Sequence, residues 1–147
     1  MTPRMLLVED NEDDIELTQR ALRKNNLDNE LVIARNGKEA LDCLFRTGAY
    51  AGKSPNLPEV VLLDLNLPGM SGLEVLRAIR ADERTRTLPV VVLTSSSQDK
   101  DMVESYKLGA NSYVQKPIDF SEFLEATRQL GLYWLVLNRR PDPGSGT

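Results

Sequence analysis

Residues 60–72 read Val-Val-Leu-Leu-Asp-Leu-Asn-Leu-Pro-Gly-Met-Ser-Gly, a stretch that holds Asp64. Four apolar residues, Val60 to Leu63, run up to the turn residues Pro68 and Gly69, which predicts a strand buried on both faces with Asp64 at its end. A carboxylate in that position serves equally well as a loop cap. The other strand ends decide between the two uses.

Arg4 to Val8 forms a short apolar strand ending in Glu9-Asp10, and Asn11 to Asp14 then supplies cap residues and acids for a helix start. Ile15, Leu17, Ala21 and Leu22 give that helix its apolar face, and it stops near Asn25-Asn26. Leu31 to Ala34 is a second strand, after which Asn36-Gly37 opens a helix carrying Ala40, Leu41, Leu44 and Phe45. Residues 47 to 59, rich in proline and glycine, read as a surface loop. Past the central strand, a helix from about Ser71 places Leu73, Val75, Leu76 and Ile79 on one side. A charged loop, Asp82 to Thr87, leads into the strand Pro89 to Leu93, which ends in Thr94-Ser-Ser-Ser97. Met102, Val103 and Tyr106 mark a fourth helix stopped by Gly109. Ser112 to Gln115 is a fifth strand running into Lys116-Pro117, and Asp119 is placed to cap a last helix from near Phe120.

The order is (βα)5, an α/β chain. Strict alternation with short connections forces a parallel sheet, and right-handed crossovers wind helices onto both faces of it. Functional groups of such a sheet gather at the carboxyl ends of the strands. That rim collects Glu9 and Asp10 from the first strand, Asp64 from the third, Thr94 from the fourth and Lys116 from the fifth.

Composition narrows the chemistry. The 147 residues fit one domain with a single core. The N-terminus lacks the apolar region of a signal peptide, and no run approaches the roughly 18 apolar residues of a membrane span, so the expectation is a cytoplasmic protein without membrane association. The chain has no histidine, which removes Ser-His-Asp and Cys-His catalysis and disfavours zinc. Its one cysteine, Cys43, lies among Ala40, Leu41 and Leu44 and reads as a small buried hydrophobe. A net charge of −4 without a basic cluster outside the tail speaks against nucleic acid.

Three carboxylates on one rim repel one another, so the site must keep a proton or recruit a cation. With only oxygen donors to offer, a hard divalent ion is expected, magnesium foremost. Asp64 can then act as a nucleophile toward phosphorus, with Lys116 and the Thr94 hydroxyl contacting the phosphoryl oxygens, and the product is an aspartyl phosphate.

Taken together, the acidic pair, Asp64-Leu-Asn66-Leu-Pro68-Gly69-Met70-Ser71-Gly72, Thr94-Ser95, Tyr113 and Lys116-Pro117 closely resemble the receiver domain of two-component response regulators over roughly residues 4 to 137. The resemblance implies a flavodoxin-like sheet of order 2-1-3-4-5 and a receiver spanning 1–138; the tail, 139–147, is expected to be disordered from its proline- and glycine-rich composition. It implies that Asp64 is the phosphoacceptor, that Glu9, Asp10, Asp64 and the backbone carbonyl of Asn66 hold magnesium, and that Thr94 and Lys116 bind the phosphoryl group. Thr94 and Tyr113 become the switch pair, the Lys116-Pro117 peptide is expected to be cis, and Asn66 and Ser96 tune the lifetime of the adduct. Glu9-Asp10 departs from the Asp-Asp pair of many relatives and lengthens one arm of the site. Such a protein catalyses only its own phosphorylation and slow dephosphorylation, and its partner is a sensor histidine kinase. Tyr133-Trp134-Leu-Val-Leu-Asn138 and the long loop before the central strand resemble the single-domain regulators paired with bacterial phytochrome-type kinases.

Other readings compete. Gly48 to Ser54 nearly spells a phosphate-binding P-loop but has three residues between its glycines instead of four, follows a helix and runs into Pro55, so it reads as loop. A haloacid-dehalogenase-type magnesium phosphatase also uses a strand-end aspartate, yet it needs an acid two residues on, where this chain has Asn66. A receiver kept only as a non-phosphorylated scaffold is the third possibility. Finally, Leu130 to Leu137 is apolar nearly all round and needs cover that nothing later in the chain supplies. A homodimer through the fourth helix, fifth strand and fifth helix, or docking of a partner there, is expected, with Tyr106, Leu130, Tyr133, Trp134 and Leu137 at the interface; the alternative is a terminal helix folded back onto its own domain.

Overall fold

The computed structural model describes residues 5–26, 31–52, 57–95, 98–116 and 120–130, and for Phe120, Phe123, Ala126, Thr127 and Leu130 it describes the backbone alone. Five strands alternate with five helices: β1 (Met5–Val8), α1 (Glu12–Lys24), β2 (Leu31–Ala34), α2 (Gly37–Phe45), β3 (Val60–Leu63), α3 (Gly72–Ala81), β4 (Val90–Thr94), α4 (Asp99–Lys107), β5 (Ser112–Gln115) and α5 (Phe120–Leu130). The strands form one parallel sheet in the order β2-β1-β3-β4-β5, as expected from the sequence. Residues 117–119, and with them the Lys116-Pro117 peptide and the Asp119 cap, lie outside the described residues, as do Ser96 and the segment 131–147.

Two-residue alternation divides the strands between two apolar layers. Leu6, Val8, Val61, Leu63, Val90 and Val92 face α2 and α3, where they meet Ala40, Leu44, Val75, Leu76 and Ile79. Met5, Leu7, Val60, Leu62 and Val91 face the other way, onto Ile15 and Leu22 of α1. Beside them Leu93 packs with Ala21, Leu17, Val114 and Leu124, which brings α5 onto the same side. The fully buried β1, β3 and β4 match their unbroken apolar runs, whereas the edge strands β2 and β5 are mostly half-buried.

Helix starts follow their caps. Asn11 and Asn36 accept from the backbone N–H groups of Asp14 and Glu39, and Ser71 forms a reciprocal capping box with Glu74. The stretch that resembled a P-loop makes a short 3-10 turn, Gly48–Tyr50, directly after α2.

The amino edge of the sheet is tied by a residue with no sequence motif around it. Arg80, from the end of α3, donates to the carbonyls of Arg86 (3.0 Å) and Leu88 (2.7 Å) before β4. It also reaches the Gly109 carbonyl (2.7 Å) and Asn111 Oδ1 (3.1 Å) before β5. Gly109 has φ +95, and a Cβ there would stand 2.7 Å from Arg80 Nε, so both backbone freedom and space require glycine. Thr85 was read as part of a charged loop, yet it is fully buried, with its hydroxyl donating to the Ile79 carbonyl at 2.6 Å.

Candidate functional site

The register of the sheet assembles the site at the carboxyl edge. Val8 lies opposite Leu63, so Glu9 and Asp64 follow side by side as the chain leaves β1 and β3. The backbone N–H of Asp64 donates to the Val8 carbonyl (3.0 Å), and that of Glu9 donates to the Ala34 carbonyl (2.9 Å), holding both carboxylates at the rim. β5 delivers Lys116, whose own N–H donates to the Thr94 carbonyl at 2.6 Å.

Their side chains meet. Carboxylate oxygens of Glu9, Asp10 and Asp64 lie within 4.8 Å of one another, and the group reaches solvent at Asp10 while Glu9 and Asp64 are buried. Lys116 Nζ donates to Glu9 Oε1 and to Asp14 Oδ2, both at 2.7 Å, and stands 3.9 Å from Asp64 Oδ2. Asp64 therefore points neither into the apolar layers nor away from Asp10 and Lys116. Thr94 is fully buried, and Asn66 Nδ2 donates to Thr94 Oγ1 and to Ser95 Oγ, each at 3.4 Å. The Asn66 backbone N–H returns to Asp64 Oδ1 at 3.3 Å, so the residue two past the central aspartate links it to the end of β4.

The glycines of the 60–72 stretch have distinct tasks. Gly69 takes φ +73 in the turn that leaves the strand. Gly72 opens α3 so close to the strand end that a Cβ there would lie 2.2 Å from the Asp64 carbonyl oxygen. Helix α3 thus rests directly on the backbone that carries Asp64.

Electrostatics reflects crowding. Burial pushes the Glu9 carboxyl up to about 7; Lys116 pulls it down, but a hydrogen bond and like charge from Asp64 add to the push. For Lys116, burial favours the neutral amine, yet hydrogen bonds to Asp14 and Glu9 and the charge of Asp64 outweigh it and raise its pKa. A rim with this excess of oxygen donors suits a hard divalent cation, and the carboxylates of Glu9, Asp10 and Asp64 are the residues able to hold one.

One participant escaped the sequence reading. Asp14 was assigned to the first turn of α1, where an acid favours the helix dipole, and that local explanation hid its contact with Lys116. Tyr113, on β5, is half-buried and packs against the apolar layer formed with α2 and α3. On α4, Met102, Val103 and Tyr106 form an exposed apolar group, with Tyr106 half exposed. Of the other expected interface residues, Leu130 is described by its backbone alone, and Tyr133, Trp134 and Leu137 lie outside the described residues.

A family model for the response regulator receiver domain matches residues 5–128. The chain belongs to the response regulator receiver family. This receiver is 41% identical over 139 residues to the probable methanogenesis regulatory protein FilR2 of Methanothrix harundinacea, covering 95% of this chain and 88% of that one. Among solved structures, the phosphorylated cyanobacterial phytochrome response regulator RcpA superposes with a TM-score of 0.85 at 37% identity, over 97% of this receiver and all of that chain. The bacteriophytochrome response regulator RtBRR is 48% identical with a TM-score of 0.78, over 99% of this receiver and 87% of that chain. The receiver is thus homologous to response regulators of phytochrome signalling. Among its described residues, no helix is long and apolar enough to cross a membrane.

Proposed function

We propose that this receiver is a phosphoryl-controlled switch in which Asp64 accepts a phosphoryl group from the phosphohistidine of a partner sensor kinase. The observation that carries the reading is the meeting of Glu9, Asp10, Asp64 and Lys116, drawn from three separate strand ends, around one aspartate. An Asp64 carboxylate oxygen attacks phosphorus; the new P–O bond forms as the P–N bond of the donor breaks. The departing imidazole keeps the electron pair, leaving as the neutral ring when its other nitrogen carries a proton. Glu9, Asp10, Asp64 and the Asn66 carbonyl would hold magnesium, which when bound would supply charge neutralisation for the phosphoryl oxygens. Lys116 and the Thr94 hydroxyl bind those oxygens, Thr94 and Tyr113 relay the change, and Asn66, with Ser96, sets how long the adduct survives.

Phosphorylation adds about −1.5 to −2 charge and three acceptor oxygens, enough to redistribute a lysine and a hydroxyl and bias a surface between two states. The exposed Met102, Val103 and Tyr106 support the α4 side as that surface, covered by a second copy of the chain. Homology to RcpA and RtBRR supports a phytochrome-type kinase as the donor, and membership of the receiver family supports a cytoplasmic setting for the exchange.

Incubation with acetyl phosphate and magnesium, read by intact mass, tests the reading. One phosphoryl adduct is expected, labile to hydroxylamine and lost with Asp64→Asn or a chelator. An adduct that survives Asp64→Asn overturns it, and steady turnover of a small monoester would instead mark a phosphatase. Normal partner binding by Asp64→Asn would mark a scaffold. Sedimentation showing only monomer at high protein concentration, phosphorylated or not, removes the dimer.

A further inference from the structure

The Lys116 ammonium has three N–H donors and sits off-centre in its site. Two short contacts, both 2.7 Å, go to Glu9 and Asp14, while Asp64 at 3.9 Å is beyond hydrogen-bonding reach. The two holders differ in kind. Glu9 is buried at the strand end and shares the cation-binding group with Asp10 and Asp64. Asp14 stands outside that group, on the first turn of α1, with its side chain one-third exposed. Its backbone N–H is already satisfied by the Asn11 cap, so the cap itself does not require an acid at this position.

We infer that Asp14 is a positioning residue: in the unphosphorylated chain its carboxylate holds Lys116 toward α1, and on phosphorylation of Asp64 the ammonium exchanges Asp14 for a phosphoryl oxygen. The inference rests on the receiver reading and adds a restraint to it. A carboxylate that binds Lys116 only before transfer lowers the fraction of molecules whose lysine is ready for the incoming phosphoryl group. Removing the negative charge while keeping the shape of the side chain therefore speeds the reaction. With phosphoramidate as donor the step is complete in itself: the P–O bond to Asp64 forms, the P–N bond breaks, and the nitrogen keeps the electron pair and leaves as ammonia, taking any proton it needs from water.

The test compares the full chain with its Asp14→Asn, Asp14→Glu, Asp13→Asn and Asp64→Asn variants in phosphoramidate and magnesium. Asp14→Asn is expected to form adduct about three- to tenfold faster, the scale of losing one partly exposed ion pair that favours the waiting state. Asp14→Glu, which restores the charge, returns toward the parent rate. Asp13→Asn removes an equal charge from the same exposed turn, in a residue with no described contact to Lys116, and leaves the rate unchanged. In the metal-free protein, the nitrogen-15 resonance of the Lys116 ammonium shifts in Asp14→Asn and stays in Asp13→Asn, a readout that loss of fold stability alone does not produce. An unchanged or slower Asp14→Asn, or an equal acceleration by Asp13→Asn, overturns the inference while the adduct on the parent chain leaves the receiver reading standing. Absence of any Asp64-dependent adduct on the parent chain overturns both.

Discussion

Two cations are drawn into opposite edges of the same sheet, and they are held in opposite ways. Lys116, at the carboxyl edge, meets the carboxylates of Glu9 and Asp14 and lies near that of Asp64. Arg80, at the amino edge, meets neutral oxygens: the carbonyls of Arg86, Leu88 and Gly109 and the Asn111 side chain. The pKa shifts follow the surroundings, since burial lowers that of Arg80 whereas the carboxylates carry that of Lys116 upward against burial. Carboxylates can trade a lysine for a proton, a metal ion or another cation, so the carboxyl edge can be rearranged by a ligand. Backbone carbonyls have no such alternatives, and a planar guanidinium fits several at once. The fold places exchangeable contacts at its carboxyl edge and fixed ones at its amino edge.

The sharpest way to break this contrast is to remove each cation in turn. Lys116→Met is expected to slow adduct formation by on the order of 10²-fold, the scale of losing one preorganised donor to a developing charge. Arg80→Met should do the reverse. It costs about 2–4 kcal/mol of stability because several partly buried carbonyls lose their donor together, while the rate per folded molecule, measured by intact mass below the unfolding transition, stays unchanged. A slowed rate in Arg80→Met at full folding would show that the two edges are not independent.

The smallest expected effect concerns protons. Glu9 has a folded pKa of about 7 against an ordinary 4.5, so its protonated form favours the metal-free fold. That contribution is fully present below pH 4.5 and is lost as pH rises through about 7. Denaturant titrations should therefore show metal-free stability falling across that window from this group. Saturating magnesium should flatten the trend, because a cation then replaces the proton. An equal slope with and without magnesium would remove Glu9 from the metal group and leave it as a partner of Lys116 alone.

The fold was readable wherever burial is complete. The unbroken runs at 60–63 and 90–93 are strands buried at every position, and Asn11, Asn36 and Ser71 cap the helices they were expected to open. Sheet order came from family likeness, since alternation alone leaves several windings open. The acids and the lysine of the rim were readable because each stands at a strand end, a position that topology makes convergent. Asp14 was not, because a first-turn acid already has a sufficient local reason to exist. Arg80 and Thr85 were hidden for a different cause: their partners are main-chain carbonyls, which every residue owns and no motif reports.

The contacts of Lys116 with Glu9 and Asp14 span 107 and 102 residues of chain. Loops of that length close late, after nearer pairings have formed. A molecule in which β5 has not yet joined, or has peeled away, retains its acidic cluster but lacks the internal ammonium. If Lys116 acts as proposed, such a molecule takes up a phosphoryl group slowly, so this long-range ion pair ties the response to a closed sheet.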